Sequence, residues 1–471
     1  MSKKFSALIA LLLGLLLTTS ALAYDLGQLS FGIKELPATS GLIINQEGKG
    51  DALIFPYYDV RVINGKEQET WFCIINEETA DTEDVIILGG FGGIAAKIRF
   101  REWDKSEEVW DAEIWLSKAD VWCAAITRNA VSGYAKITST DYVVVAGEIT
   151  DLALTLGTPL SGGFDFLWPT GYPAISSNRM GYFEVIGSEL TAAKIIPGSS
   201  PPKVSRQFWD CPNTLMGYAY IVRVADGVAA GYRATAIANF SRSIPTLYSG
   251  PGKLTPNLRD SCEDTLDELE FVLSKEDLFA GYSVEAGIGG QFSLIMTFPT
   301  KHFHFQGRPY YSKKTDVLVD GLPMTPPWTV DAMNKLEPIT ITIYDRLENK
   351  IPGNWWSPPG SGAGFPYEVT ILGLYKGTPP TLPADNYRDN VAVSTSGYET
   401  GWIWVLFPNF GDIQFSKLSY FNFFGNVFSR YYGLPVIALW MQEFQNGALG
   451  GWYGEIIPAF YEVDWVLGSV T

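Results

Sequence analysis

The segment between residues 70 and 126 constrains the fold more than any other part of this 471-residue chain. It contains short runs rich in aromatic and β-branched residues, separated by polar turn residues, at 70–76, 95–103, 109–116 and 120–126. Runs of this length and composition are typical of half-buried antiparallel strands. We therefore predict an all-β protein built from tandem antiparallel β-sandwiches of immunoglobulin-like type, with long loops and few short helices.

The first 23 residues have the features of a secretory signal peptide. Lys3 and Lys4 precede an apolar run at 7–17, and the small residues of 21–23 form a cleavage site before Tyr24. The alternative is an uncleaved membrane anchor, but the apolar run is shorter than the ~20 residues that span a bilayer. We expect an exported protein, in the periplasm, outside the cell or on its surface, with no membrane insertion after signal cleavage.

The remaining chain is long enough for two domains of ordinary size. Between Ser243 and Asp260 the composition shifts to Pro, Gly, Ser and Asn, which is typical of a linker. We therefore place an N-terminal β-sandwich at residues 24–250 and a C-terminal β-sandwich at residues 251–471.

The second half repeats the pattern of the first. The clearest correspondence is a hairpin at 434–458 with Asn446-Gly447 at its turn, which matches a hairpin at 218–238 with Asp226-Gly227. The other matched pairs are 291–298 with 70–76, 339–348 with 96–104, and 401–407 with the strand that begins at Met180. Internal duplication explains the match, and the alternative is the similar patterning of any two sandwiches.

The charge balance excludes two classes of partner. Asp and Glu outnumber Lys and Arg by 51 to 34, which gives a formal net charge of −17. A surface of this sign repels nucleic acid and anionic lipid, so we expect neither as a partner.

Four cysteines in an exported chain suggest two disulfides: Cys73, Cys123, Cys211 and Cys262. Three pairings are open from the sequence. We favour Cys73 with Cys123, because both lie in the middle of predicted strands of one sandwich, and Cys211 with Cys262. Four buried free thiols are the alternative, since Cys is also an ordinary core residue.

Five short segments carry a resemblance to other proteins: 71–76, 96–102, 116–126, 181–186 and 433–437. They resemble a group of uncharacterised exported bacterial proteins and, more loosely, immunoglobulin-type sandwiches. The resemblance implies an envelope or extracellular location, and no functional residues can be transferred from it.

The sequence carries no recognisable catalytic motif. The only histidines are His302 and His304, which an extended strand would place on one face, as in a pair of metal ligands. No third ligand can be identified, so solvent-facing histidines are the alternative. Neither a Gly-x-Ser-x-Gly elbow nor a His-Glu-x-x-His motif is present, and we expect no enzymatic activity.

Two acidic loops are candidates for a calcium site, because Ca²⁺ takes six to eight oxygen ligands. The first loop contains Glu77, Glu78, Asp81, Glu83 and Asp84, and the second lies at 260–268. Neither has the spacing of a helix-loop-helix calcium site. A solvated charge run is the alternative, and no other cofactor is expected.

Aromatic residues make up 14% of the chain. Trp71, Trp115 and Trp122 fall at positions where we expect core. Other aromatic residues lie in predicted loops, where exposed rings stack on sugars or anchor protein contacts: Trp328, Trp355, Trp356 and Tyr367. Packing of a long loop over a sheet is the alternative.

These observations favour a non-enzymatic exported structural protein, such as a surface-layer, filament or matrix subunit that associates with itself or with other surface proteins. The alternative is an exported module that binds glycan or protein through its loop aromatics. A carboxylate-based glycan hydrolase is a third hypothesis, because two suitably spaced acids would suffice for it.

Overall fold

A computed structural model of the protein describes residues 42–78, 93–104, 106–143, 158–159, 163–166, 177–196, 203–208, 213–240, 269, 272–301, 318–319, 322–323, 340–351, 356–357, 367–379, 389–407, 410–414, 427–432, 434–446, 451–458, 460–462 and 465–469. These ranges consist mainly of strands, so the all-β prediction is confirmed. No helix of seven or more residues occurs in them. Short 3-10 turns lie at Ser177–Arg179, Val224–Asp226 and Ala286–Ile288.

The strands described in the N-terminal half follow one another closely along the chain. They are β1 (Ile43–Ile44), β2 (Ala52–Asp59), β3 (Val62–Ile63), β4 (Lys66–Glu67), β5 (Glu69–Asn76), β6 (Gly93–Glu102), β7 (Glu108–Ser117), β8 (Val121–Arg128), β9 (Ala135–Thr138), β10 (Tyr142–Val143), β11 (Thr158–Pro159), β12 (Phe164–Asp165), β13 (Met180–Ile196), β14 (Lys203–Phe208), β15 (Leu215–Arg223), β16 (Val228–Arg233) and β17 (Thr235–Ala238).

Two main sheets form the N-terminal sandwich. Sheet A has the strand order β12-β9-β8-β5-β15-β16, and sheet B has the order β1-β17-β2-β13-β6-β7. Aromatic rings fill the space between the sheets. Phe72 of sheet A meets Phe55 of sheet B edge-on, with 5.8 Å between ring centroids, and Phe55 stacks on Phe183 at 4.2 Å. Burial of these rings is the main driving force that holds the sheets together.

The predicted pairing of Cys73 with Cys123 is confirmed. The two residues face each other in register on β5 and β8, and their Cα atoms are 4.1 Å apart. The bridge therefore joins adjacent strands of sheet A. Cys211 and Cys262 lie outside the described residues, so their pairing stays a prediction.

The tryptophans predicted to lie in the core differ in their exposure to solvent. Trp122 is buried, as expected, whereas Trp71 is 49% exposed. The expectation for Trp71 was wrong because alternate residues of β5 face opposite sides of sheet A, and Phe72 is the residue that enters the core. The side chain of Trp115 lies outside what the structure describes.

The strands described in the C-terminal half are β18 (Ser274–Lys275), β19 (Asp277–Ser283), β20 (Gln291–Thr297), β21 (Leu318–Val319), β22 (Leu322–Pro323), β23 (Thr340–Asp345), β24 (Trp356–Ser357), β25 (Val369–Tyr375), β26 (Val391–Ser394), β27 (Thr400–Leu406), β28 (Phe410–Gln414), β29 (Val427–Tyr432), β30 (Leu434–Pro435), β31 (Ile437–Asn446), β32 (Gly451–Pro458), β33 (Phe460–Glu462) and β34 (Trp465–Ser469). Sheet C has the order β24-β26-β25-β20-β31-β32, and sheet D has the order β23-β27-β19-β33. A separate hydrophobic core lies between sheets C and D, with Leu294, Met296, Ile403 and Val405 among its members.

The two halves share one strand order, which supports the internal duplication. The order β23-β27-β19-β33 of sheet D repeats β6-β13-β2-β17 of sheet B, and β25-β20-β31-β32 of sheet C repeats β8-β5-β15-β16 of sheet A. Each correspondence predicted from the sequence appears in this match. One pairing differs, because β26 lies parallel to β25 whereas β9 is antiparallel to β8.

The two sandwiches pack against each other. One hydrophobic cluster contains residues of the N-terminal core together with Ile295, Val369, Ile371, Ile437, Leu439 and Met441 of sheet C. Hydrogen bonds also cross between the halves: the Val369 amide donates to the Trp103 carbonyl at 3.0 Å, and the Tyr182 hydroxyl donates to the Pro299 carbonyl at 3.5 Å. Sheet C is therefore covered on both faces.

Strands of sheet B are also buried on both faces, which corrects one prediction. The charged residues at alternate positions of β6 suggest a half-buried strand, but Lys97, Arg99 and Arg101 are all buried. Arg99 and Arg101 both pair with one oxygen of the buried Glu184, at 3.1 and 3.2 Å. Internal ion pairs take the place of the expected solvent contact.

Some predictions concern segments without a described structure. The predicted signal peptide at 1–23 and the predicted linker from Ser243 to Asp260 lie outside the described residues, so the domain boundary at 250 stays a prediction. In the ranges that the structure covers, no helix is long and apolar enough to cross a membrane.

Candidate functional site

An open cleft lies in the C-terminal sandwich, where β19, β23 and β27 of sheet D meet β31 of sheet C. Its volume is about 890 Å³, which is within the usual range for small-molecule sites. The aromatic lining residues are Tyr282, Trp402, Trp440 and Phe444, and the polar ones are Ser283, Asp345, Arg346, Glu348, Thr400 and Gln442.

Trp402 lies on the outer face of sheet D, at the edge of the cleft. Residues of β27 alternate, so Ile403 and Val405 enter the core while Trp402 faces away from it. Tyr344 lies opposite Trp402 in register on β23, and its ring stacks on the indole with 4.1 Å between centroids and 11° between planes. This stacking fixes the orientation of the indole on the outer face of sheet D.

Two glycines shape the sheet around Trp402. A Cβ atom on Gly401 would lie 1.9 Å from the carbonyl oxygen of Tyr344, so β27 approaches β23 this closely only with glycine there. On the side of β27 away from β23, Trp402 is paired in register with Gly281 of β19, and Gly281 is exposed. Because Gly281 has no side chain, the surface beside the indole stays open.

Tyr282 and Trp440 line the cleft from the core side, and both rings pack on Phe292 at centroid distances of 6.3 and 6.1 Å. The Tyr282 hydroxyl and the Trp440 Nε1 atom are buried, and neither has a hydrogen-bond partner in the described part of the chain. An unsatisfied buried polar group costs about 1–3 kcal/mol, so such groups point to a missing partner. Burial, followed by the charge of Asp345 and the Tyr398 side chain, raises the pKa of Tyr282 above its ordinary value.

Gln442 joins the two sheets at the base of the cleft. Its Oε1 atom accepts from the Ser283 amide at 2.9 Å, and its Nε2 atom donates to the Ser283 and Gln291 carbonyls at 2.7 and 2.8 Å. These bonds satisfy the buried amide within the protein. Gln442 is therefore a structural part of the cleft.

The rim is the loop that follows β23. Asp345 organises this loop by accepting from the backbone amides of Leu347 and Asn349 at 2.8 and 2.9 Å. It also accepts from the Asn349 side chain at 3.0 Å, and this hydrogen bond is the main reason that the pKa of Asp345 lies below its ordinary value. The loop places Arg346 and Glu348 in solvent at the mouth of the cleft.

This arrangement suits a neutral, amphipathic ligand. Aromatic faces bind apolar surfaces, such as the C–H face of a pyranose ring, while the two unpartnered groups offer hydrogen bonds. The charged groups lie at the rim and carry both signs.

The predicted calcium ligands form ion pairs where they are described. Glu77 pairs with Lys49 at 2.5 Å, and Glu78 pairs with Lys118 at 2.9 Å. Asp81, Glu83, Asp84, His302 and His304 lie outside the described residues, as does the acidic loop at 260–268. Among the residues that the structure covers, no group of three or more His, Cys, Asp or Glu could hold a metal ion.

The predicted loop aromatics do not line the cleft where they are described. The ring of Tyr367 lies edge-on to Trp103 of the N-terminal half at 4.4 Å, so it packs within the protein. Trp356 belongs to β24, which pairs with β26, and its side chain is not among those described. Trp328 and Trp355 lie outside the described residues.

The sequence predicts the strands of the cleft but not its lining residues. Residues 339–348 and 401–407 were both predicted as strands. The alternation of Trp402, Ile403, Trp404 and Val405 carried a usable signal, because it predicts two tryptophans on the outer face of a sheet. Nothing in the sequence indicated that Tyr282 and Trp440 would line one cleft.

Comparison with known proteins adds no further assignment. No protein-family model, no curated protein and no solved structure matches this chain.

Proposed function

We propose that this protein is an exported, non-enzymatic surface protein that binds glycan through the cleft between sheets D and C. The observation that carries the proposal is the combination of aromatic side chains, Tyr282, Trp440 and Phe444, with two unpartnered polar atoms, the Tyr282 hydroxyl oxygen and the Trp440 Nε1, in the lining of one open cleft. Sugars present both apolar C–H faces and many polar oxygens, so this combination matches their chemistry. The proposal keeps the glycan-binding hypothesis from the sequence but moves the site from the loops to the strands.

A binding role is favoured over glycan hydrolysis by the state of Asp345. A general acid for hydrolysis needs a raised pKa, so that it stays protonated at neutral pH. Asp345 accepts three hydrogen bonds from its own loop, and these lower its pKa. The hydrogen bonds of Asp345 therefore stabilise the loop and keep its carboxyl group ionised, which does not favour proton donation.

The experiment is a glycan array with the mature protein, followed by calorimetric titration of each hit. Phe444→Ala should weaken binding of a hit by tenfold or more, because Phe444 is a half-buried aromatic residue of the cleft lining, and loss of an aromatic contact of about 1.5 kcal/mol corresponds to that factor. Trp71→Ala is the matched control, since Trp71 is an exposed strand tryptophan on the other sandwich. Equal losses in both variants, or no hit on the array, would contradict the proposal.

The structural-subunit hypothesis remains a second candidate, favoured by the outer face of sheet A. Trp71, Val121 and Tyr220 are exposed there, and Trp71 and Tyr220 are direct partners on adjacent strands. Copies with a formal charge of −17 repel one another, and an apolar face is where they can approach closely. We propose that a second copy of the chain covers this face.

Sedimentation of the mature protein over a range of concentrations tests self-association. The parent protein should form larger species as concentration rises, and Trp71→Lys should stay monomeric. Phe444→Ala serves as the control and should associate like the parent protein. A parent protein that stays monomeric at all concentrations would exclude this second candidate.

A further inference from the structure

The contact between the two halves joins two different faces, the outer face of sheet B and the outer face of sheet C. Tyr182 alternates on β13 with the core residue Phe183, and its hydroxyl donates to the Pro299 carbonyl just beyond β20. The Thr297 hydroxyl, on the outer face of β20, donates to the Pro56 carbonyl of β2. Because each half contributes a different one of its sheets, this contact is heterologous.

Sheets B and D are equivalent down to single residues. A Cβ atom added to Gly181 of β13 or to Gly401 of β27 would lie 1.9 Å from a backbone carbonyl oxygen of the neighbouring strand. The register partners of these glycines are Glu102 and Asp345. Each of the two carboxylates accepts hydrogen bonds from two backbone amides of the loop that follows it. The outer face of sheet D is therefore built on the same frame as the outer face of sheet B.

Sheets A and C are equivalent in the same way. In sheet A the Asn76 amide donates to the Asp120 carbonyl at 3.0 Å, and in sheet C the Phe298 amide donates to the Glu368 carbonyl at 2.8 Å. Strands β8 and β25 begin at the residue after each of these carbonyls. The start of β8 therefore corresponds to the start of β25.

The outer faces of sheets A and D present apolar surface to solvent. On sheet A, Trp71, Val121 and Tyr220 are 49%, 44% and 43% exposed. On sheet D the aromatic side chains are partly exposed and stack on one another, and they are Phe279, Tyr344, Trp402 and Trp404. Exposed apolar faces of this kind mark interaction surfaces. Each of the two faces is the equivalent of one side of the internal contact.

We propose that the outer face of sheet D in one molecule packs against the outer face of sheet A in the next, as sheet B packs against sheet C within the chain. Trp402 takes the place of Tyr182 in this contact, since each follows the equivalent glycine. Every assembly keeps one free A face and one free D face, so the protein forms a head-to-tail chain. This inference rests on the structural-subunit hypothesis and specifies its contact surface.

The charges at the edge of this contact are complementary. Within the chain, the Val369 amide that begins β25 donates to the Trp103 carbonyl at 3.0 Å. The residue of sheet D that corresponds to Trp103 is Arg346, which follows Asp345 and is exposed. The internal geometry, repeated between molecules, places Arg346 of one copy beside Asp120 of the next. Opposite charges at this position favour the contact although the net charge of the chain is negative.

Sedimentation velocity of the mature full-length protein tests this contact with one variant for each face. The parent protein should form dimers, trimers and larger species as its concentration rises. Trp71→Lys disrupts the A face and Trp402→Lys disrupts the D face, so each variant alone should stay monomeric. Their equimolar mixture should form a heterodimer and no larger species, because it combines one intact D face with one intact A face.

The alternative arrangement pairs the A face with itself. In that case Trp402→Lys would associate like the parent protein, which would overturn this inference and leave self-association intact. A mixture that stays monomeric, with both variants folded by circular dichroism, would overturn it as well. A parent protein that stays monomeric at all concentrations would overturn the structural-subunit hypothesis itself.

Charge reversal tests the register of the contact at two surface positions. Arg346→Glu and Asp120→Arg should each weaken association by about threefold or more, because each places like charges beside one another. The double variant Arg346→Glu/Asp120→Arg restores an opposite pair at every contact, and it should associate like the parent protein. A double variant as weak as the single variants would contradict the proposed register.

Discussion

At the scale of single residues, Gly401 controls the geometry of the cleft. It allows β27 to approach the Tyr344 carbonyl, and this approach places Tyr344 on the face of Trp402. The adjacent Gly281 differs, because the nearest atom to a Cβ there is the Gly401 carbonyl oxygen at 4.0 Å. A side chain is therefore excluded at Gly401 but has room at Gly281 on the neighbouring strand.

We expect Gly401→Ala to lower the free energy of unfolding by about 3 kcal/mol, because the added methyl overlaps with backbone that cannot move independently. Urea denaturation of the mature protein measures this change. Gly281→Ala is the control and should stay within about 0.5 kcal/mol of the parent protein. Equal stability of the two variants would show that the close approach of β27 to β23 is not required.

At the scale of elements, the disulfide between β5 and β8 reinforces the middle of sheet A. Cys73 and Cys123 are 50 residues apart in sequence and in direct register across the two strands. The bridge lies on the outer face of the sheet with Trp71, away from the core residues Phe72 and Ile74. Its contribution therefore comes from the restriction of the unfolded chain and not from core packing.

The double variant Cys73→Ala/Cys123→Ala should lose about 4 kcal/mol of unfolding free energy, which is the loop-closure value for a 50-residue separation. Urea denaturation under oxidising conditions measures the loss. Reductant should destabilise the parent protein by a similar amount or more. A further effect of reductant on the double variant would reveal the predicted bridge between Cys211 and Cys262, and an unchanged stability of the double variant would contradict the prediction.

At the scale of the whole molecule, the junction between the halves contains two buried carboxylates. Glu102 belongs to β6 of the N-terminal half, and Glu368 precedes β25 of the C-terminal half. Burial, with additional effects from Asp104 and Glu368, raises the pKa of Glu102 to about 8. Its carboxyl group also accepts hydrogen bonds from the Asp104 and Glu107 amides at 2.6 and 3.2 Å.

This raised pKa makes stability depend on pH. Folded Glu102 keeps its proton up to about pH 8, whereas the unfolded chain releases it near the ordinary value of 4.5. The stabilising effect is complete below pH 4.5 and is lost as the pH rises towards 8, at about 1.4 kcal/mol per pH unit. We expect Glu102→Gln to remove this slope between pH 6 and 8 in urea denaturation. Glu67→Gln, at an exposed position, is the control for the charge change, and an unchanged slope in Glu102→Gln would refute the prediction.

Much of the fold follows from the sequence because alternation and turn chemistry are local. The runs at 70–76 and 120–126 predict strands β5 and β8, and the position of Cys73 and Cys123 in the middle of these runs led to their correct pairing. The matched hairpins at 218–238 and 434–458 predict equivalent elements, and their strands occupy equivalent places in sheets A and C.

The burial of a strand face and the composition of the cleft depend on contacts between distant segments. The sequence determined the strands, the turns and the internal correspondence, because each of these depends on neighbouring residues. Only the tertiary structure decided that Trp71 is exposed, that Arg99 and Arg101 are buried, and that Tyr282 and Trp440 both pack on Phe292. The physical reason is that alternation fixes which residues share a face of a strand, while the sheet packed against that face decides whether it meets solvent, core or ligand.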